Sequence, residues 1–214
     1  MSQQNRSSKL PLGPSTLSKG ADHGDIDTLK GADCFLKPDD AVGIPMHLST
    51  IMNWSSDLHV AALSEYCSDM EIYYLELPAI DHYAIEELLK YMYGRDIEWG
   101  EVDVRVRPKF FSDLLCLADI YNIKGLRERV MKEFKEWTSS NNGQWRDMER
   151  DMNLICTFQM PRPLWHVIVQ EWAIFLTEGH PVDRHRYEQI INRHPAYANA
   201  VWQEIAQMHS EKAN

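Results

Sequence analysis

Cysteine is scarce. There are four in 214 residues, Cys34, Cys67, Cys116 and Cys156. Their spacings are long and irregular, and none forms Cys-x-x-Cys. That excludes the usual zinc patterns and the tight frameworks of small disulfide-rich domains. Cys116 and Cys156 fall in apolar helical stretches, which predicts buried, reduced thiols. No run approaches the roughly 20 apolar residues of a membrane-spanning helix. No apolar run opens the chain, which predicts no secretory leader. The glycosylation-like triplets Asn5-Arg6-Ser7 and Asn53-Trp54-Ser55 then carry no weight. Basic charge is also in the minority: 22 Lys and Arg against 32 Asp and Glu, for a net charge of -10. The imbalance lies mainly in residues 46–137, with ten basic and seventeen acidic side chains. Nucleic acid and anionic membranes both ask for clustered Lys and Arg. Neither is an expected partner. The expected location is the cytoplasm, the nucleus or both.

Catalytic patterns are missing too. There is no Gly-x-Ser-x-Gly elbow, no Gly-rich phosphate loop and no Gly-x-Gly-x-x-Gly. The nine histidines are scattered, with no His-x-x-x-His step. No metal, cofactor or catalytic residue is expected. Paired carboxylates such as Glu86-Glu87 read as a solvated helix face. His47 reads as a structural residue at a helix start. Arg184-His185-Arg186 and Arg193-His194 read as the outer face of an amphipathic helix.

What is present is a folded chain, 44% apolar with seven Trp and nine Tyr, unlike disordered sequences. Residues 1–31, rich in Ser, Gly, Lys, Gln and Asp, read as a disordered tail. Cys34-Phe35-Leu36, a turn at Pro38-Asp39-Asp40 and Val42-Gly43-Ile44 read as a short hairpin. His47 to Trp54 and Leu58 to Tyr66 read as helices, the second with Leu58, Ala61 and Ala62 on one face. Ile72 to Leu77 reads as a strand, stopped by Pro78. Asp81 can cap a helix whose stripe is Ile85, Leu88, Leu89 and Met92, with Gly94 as its left-handed stop. Ile97 to Val106 reads as an extended arm, and Pro108 suits a helix first turn. Two further stripes follow: Phe111, Leu114, Leu115, Ala118 and Tyr121, then Leu126, Val130, Phe134 and Trp137. Ser139 to Gly143 reads as a break. Beyond it come Met148–Phe158, then Trp165, Ile168, Val169, Trp172 and Leu176, ended by Gly179 and Pro181. Tyr187, Ile190 and Ile191 follow, closed by Pro195. Tyr197, Val201, Ile205 and Met208 are last. The aromatic residues Trp165, Trp172, Tyr197 and Trp202 read as core. The nearest apolar surface for these late helices is the one at Leu126–Trp137.

Particular residues at the joints of this pattern resemble the BTB/POZ family, most nearly its fungal members. A His opening the first helix, a Leu-like residue, a Ser and a further apolar residue look like His47, Ile51, Ser55 and Leu58. A helix ending in Leu-Leu-x-Tyr-x-Tyr-Gly is matched by Leu88, Leu89, Tyr91, Tyr93 and Gly94. The later pattern Leu-Ala-Asp-x-Tyr and a following Leu is matched by Leu117, Ala118, Asp119, Tyr121 and Leu126. Ile190 to Ala198 looks like the helical extension of many fungal members. The resemblance implies an α+β fold. A BTB/POZ-like helical cluster flanked by a short sheet would span 32–137, with an α-helical C-terminal extension at 144–208. It implies a non-enzymatic protein–protein interaction module, a scaffold or adaptor whose partners are other proteins, including a homo-oligomer. Leu63-Ser64-Glu65 matches the apolar-x-Glu step of members that recruit a cullin scaffold. A cullin-type ubiquitin-ligase substrate adaptor is therefore one alternative. A transcriptional co-regulator acting through protein contacts is another. Where many members carry Lys or Arg after the opening His, this chain has Leu48, so Asp33 lacks its usual partner. Any homodimer is expected to differ from the family's common one.

Overall fold

A computed structural model describes residues 31–38, 43–67, 72–77, 80–100, 102–103, 106–141, 160–178 and 184–212. The expectations for the tail before Gly31, the turn at Asp39-Asp40, the helix Met148–Phe158 and the stop at Gly179 and Pro181 lie outside these residues. The chain forms two compact units. One is Met1–Glu98 with Tyr121–Lys124, and the other is Trp99–Ile120 with Gly125–Asn214. Helices dominate, with one small sheet, an α+β composition.

The first unit holds the sheet. Strands β1 (Cys34–Pro38), β2 (Ile44–Met46), β3 (Tyr66–Cys67) and β4 (Ile72–Leu77) lie in the order β2-β1-β4-β3. β1 pairs antiparallel with β2 and parallel with β4, in register Leu36 to Leu75. The hairpin's second strand runs over Ile44–Met46, and it contains Pro45. Proline is tolerated there because β2 is an edge strand, where a missing N–H breaks no ladder. Between the two halves of the sheet come α1 (Leu48–Trp54) and α2 (Ser56–Leu63). Ile51, Leu58 and Ala62 are fully buried. α2 stops before Tyr66, which sits in β3 and pairs with Tyr73. The helix expected to reach Tyr66 is thus cut short by sheet pairing.

α3 (His82–Met92) follows. Asp81 caps it by accepting from the Tyr83 N–H at 2.9 Å. Ile85, Leu88, Leu89 and Met92 are buried along one stripe. Gly94 ends it at φ +80°. Its N–H reaches the Tyr91 carbonyl, and the Arg95 N–H reaches that of Lys90, both at 2.9 Å. This pair of bonds is the Schellman ending, which satisfies orphan carbonyls. Glu87 corrects the expected solvated face. It is 0% exposed.

The second unit is helical. The expected arm at Ile97–Val106 forms no strand among the described residues. Ile97 and Val102 are buried, and Arg107 Nη2 donates to the carbonyls of Gly100 (3.2 Å) and Val102 (2.8 Å). α4 (Arg107–Ile120) packs on α5 (Leu126–Asn141), and α5 packs on α6 (Arg162–Thr177). Phe111, Leu114, Leu115, Ala118, Leu126, Val130 and Phe134 are buried. Trp99 stacks on Phe111 at 5.2 Å, and Phe134 meets Trp137 at 5.6 Å. α5 runs on through Ser139 to Asn141, so the expected break does not begin at Ser139. Ser139 Oγ donates to Glu171 on α6 at 3.1 Å. α7 (Arg184–Arg193) and α8 (Pro195–Lys212) complete the chain, α8 packing on both α6 and α7. Pro195 opens α8 rather than closing α7, as suits a residue whose N–H would be unpaired in a first turn. Trp172 and Tyr197 are buried and Trp165 partly so, but Trp202 is 52% exposed, against its expected place in the core. Cys116 is half-buried rather than buried, Cys34 is fully buried, and the expectation for Cys156 lies outside the described residues.

Candidate functional site

The motif residues of the first unit meet at one joint, where the end of α1, the start of α2, the end of α3 and the turn 121–124 come together. Ser55 lies between α1 and α2. Its hydroxyl accepts from the Leu58 N–H at 2.9 Å, capping α2, and donates to the Tyr121 carbonyl. Tyr91 donates to the Lys124 carbonyl at 2.9 Å, and its ring lies 4.9 Å from that of Trp54. Trp54 Nε1 donates to the Met92 carbonyl at 2.5 Å. Lys124 donates twice to the end of α1, from its backbone N–H to Trp54 O (3.1 Å) and from Nζ to Asn53 O (2.8 Å). Asn122 turns the chain here with φ +46°, a conformation Asn tolerates better than most residues. Burial, then the charge of Glu65, pushes up the Tyr121 phenol.

At the front of the same unit His47 is the N-cap of α1. Its Nδ1 shares a 2.7 Å hydrogen bond with the Tyr93 hydroxyl, which also accepts from the His47 N–H at 3.2 Å. Burial, its leading cause, raises the Tyr93 phenol above its ordinary value, against the lowering by its hydrogen bonds. Asp33 is not left without a partner. Its Oδ1 accepts from the Leu48 N–H at 2.7 Å. A backbone N–H at the start of α1 thus takes the place of the missing cation.

The motif residues of the second unit behave as structure. Leu117, Ala118 and Leu126 are buried, and the exposed Asp119 pairs with Arg127. Among the described residues no group of His, Cys, Asp and Glu could hold a metal ion.

Above the joint, the segment from α1 to β3 presents apolar side chains to solvent. Met52 is 63% exposed, Val60 65%, Leu63 41% and Tyr66 53%. Val60 and Leu63 are three residues apart and share the outer side of α2, opposite Leu58 and Ala62. Glu65 and Asp57 are exposed beside them in sequence. Leu63 and Glu65 were expected from their motif. Met52, Val60 and Tyr66 were not, because a single apolar residue carries no sign of which face it takes. Trp54 and Lys124 were missed at the joint for a similar reason: their bonds run to backbone carbonyls, which any sequence supplies. No family model matches the chain, and no curated protein matches it.

Proposed function

We propose that this chain is a protein-interaction module of the BTB/POZ kind, acting as a scaffold or adaptor without chemistry of its own. The observation that carries this reading is the exposed set Val60, Leu63 and Tyr66 next to Glu65, on elements held fast by the joint beneath. Exposed apolar side chains that adjoin one another, as Val60 and Leu63 do one helical turn apart, mark contact sites. A rigid base lowers the ordering cost of binding. The joint also uses three residues that carry the family resemblance, Ser55, Tyr91 and Tyr121, and two more, His47 and Tyr93, bond to each other at the front of the same unit. Leu63 and Glu65 being exposed together favours the narrower reading, a contact with a cullin scaffold.

The test is affinity purification with mass spectrometry, comparing wild type with Leu63→Asp and Val60→Asp. Both sites are exposed, so both variants should keep the wild-type melting temperature and lose the main partners. A purified cullin scaffold is expected to bind wild type and to bind Glu65→Ala at least tenfold more weakly. Unchanged partner lists would remove the surface from consideration. A cullin that fails to bind wild type would remove the adaptor reading alone.

A further inference from the structure

We propose that the outer face of α8 pairs with the same face of a second copy of this chain. The inner face of α8 is already occupied. Tyr197, Ala198, Val201 and Ile205 are buried, Trp165 lies 6.5 Å from Tyr197, and Gln170 on α6 donates to Glu204 at 3.3 Å. The outer face carries Pro195, Asn199, Trp202, Ala206 and His209, all exposed and spaced by four, three, four and three residues. That spacing makes one row along the helix. None of the five is Asp, Glu, Lys or Arg. Glu204 and Glu211 lie roughly 160–180° around the helix from Trp202, at about 100° per residue.

Three observations point to a second copy as the occupant. The first is charge. Two molecules each carrying -10 repel wherever their acidic surfaces meet. This row lets them approach with no like charges opposed. The second is shape. Trp202 stands one turn from the small Ala206. In an antiparallel pair crossing near these residues, each indole covers the other copy's Ala206. A twofold contact requires such self-complementarity. The third is residue type. Trp is enriched at the energetic centre of protein interfaces, where charged residues are depleted. Antiparallel crossing also opposes the two helix dipoles favourably. The pairing lies in the second unit and does not depend on the BTB-like reading.

The row from Pro195 to His209 is about 21 Å long at 1.5 Å per residue. A contact of that length falls short of the roughly 800 Å² per partner of a standard interface. The pair is therefore expected to be weak and to dissociate on dilution.

Sedimentation velocity of the full chain, from roughly 5 to 200 µM, tests this. The mass should rise from 24.9 kDa toward twice that value with concentration. Added salt should strengthen the pair, because it screens the net repulsion and no ion pair is lost. Trp202→Lys should weaken it at least tenfold, and so should Ala206→Glu, which needs only an exposed position to stay folded. A mass that stays at one chain across the range overturns the proposal. So does a dimer that both variants leave intact, or one that salt dissociates. A dimer lost with Met52→Lys but not with Trp202→Lys would place self-association on the first unit and overturn it equally.

Discussion

Glu87 keeps its place in a buried helix face because both its oxygens are occupied. Oε1 receives Lys90 Nζ at 2.5 Å, and Oε2 receives the Glu98 N–H at 2.8 Å. Burial acts to lower the Lys90 ammonium, but hydrogen bonding and charge from Glu87, with Glu98, leave it raised. Glu87→Ala would leave the Glu98 N–H without its acceptor and Lys90 with Glu98 alone as its carboxylate, and should cost about 1–3 kcal/mol. A chemical-denaturation midpoint is the measure; an unchanged midpoint would mean that water replaces the carboxylate. Periodicity alone did not show this, since Glu86-Glu87 looks solvated on any helical wheel and only the later loop explains the burial. Cys34 offers a second test. It is fully buried, and burial first, then Asp33, pushes its thiol up from 9.0 to about 12. The folded state therefore holds the proton more tightly than the unfolded one. Its contribution is fully present below pH 9 and is lost as pH rises toward 12. Native protein at pH 8 should leave Cys34 unalkylated by iodoacetamide, with labelling appearing only in denaturant.

Among the elements, α3 is the one most legible from sequence. Its cap at Asp81, its apolar stripe and its stop at Gly94 all act through neighbouring residues, so local pattern suffices. A Cβ on Gly94 would meet nothing within 4 Å, so only the backbone opposes substitution there. Gly94→Ala should cost roughly 1–2 kcal/mol, the penalty of a left-handed residue. Gly94→Asn should cost less, and thermal melts would rank the two. β3 was illegible. Two residues, Tyr66 and Cys67, become strand only because Tyr73 and Ile72 are opposite them. The segment at Ile97–Val106 is placed in a similar way from outside, since Arg107 holds the carbonyls of Gly100 and Val102.

Across the whole molecule, the late helices are not an independent piece. α6 packs on α5 within the same unit, and Leu164, Ile168 and Trp172 are buried there. A fragment ending at residue 140 should expose apolar surface and aggregate. Size-exclusion chromatography at low concentration is the check, and a monodisperse, cooperatively melting fragment would contradict it. Of the candidate site, the sequence marked Leu63 and Glu65 and most of the joint. It did not mark Val60, Tyr66 or Lys124, whose roles depend on which side of a helix meets solvent and which carbonyl lies within reach.

The turn Tyr121–Lys124 belongs to the first unit, yet it lies between α4 and α5 of the second. The chain therefore passes between the two units three times. On the ribosome, the N-terminal unit cannot close when Glu98 emerges. Its joint waits for Lys124, a delay on the order of seconds at translation speed. Through that interval the Ser55 hydroxyl, the Tyr91 hydroxyl and the Trp54 carbonyl lack the partners that the turn supplies in the finished protein. The first unit is therefore complete only after part of the second has been made, and the nascent chain is exposed to chaperones and misassembly before the turn arrives.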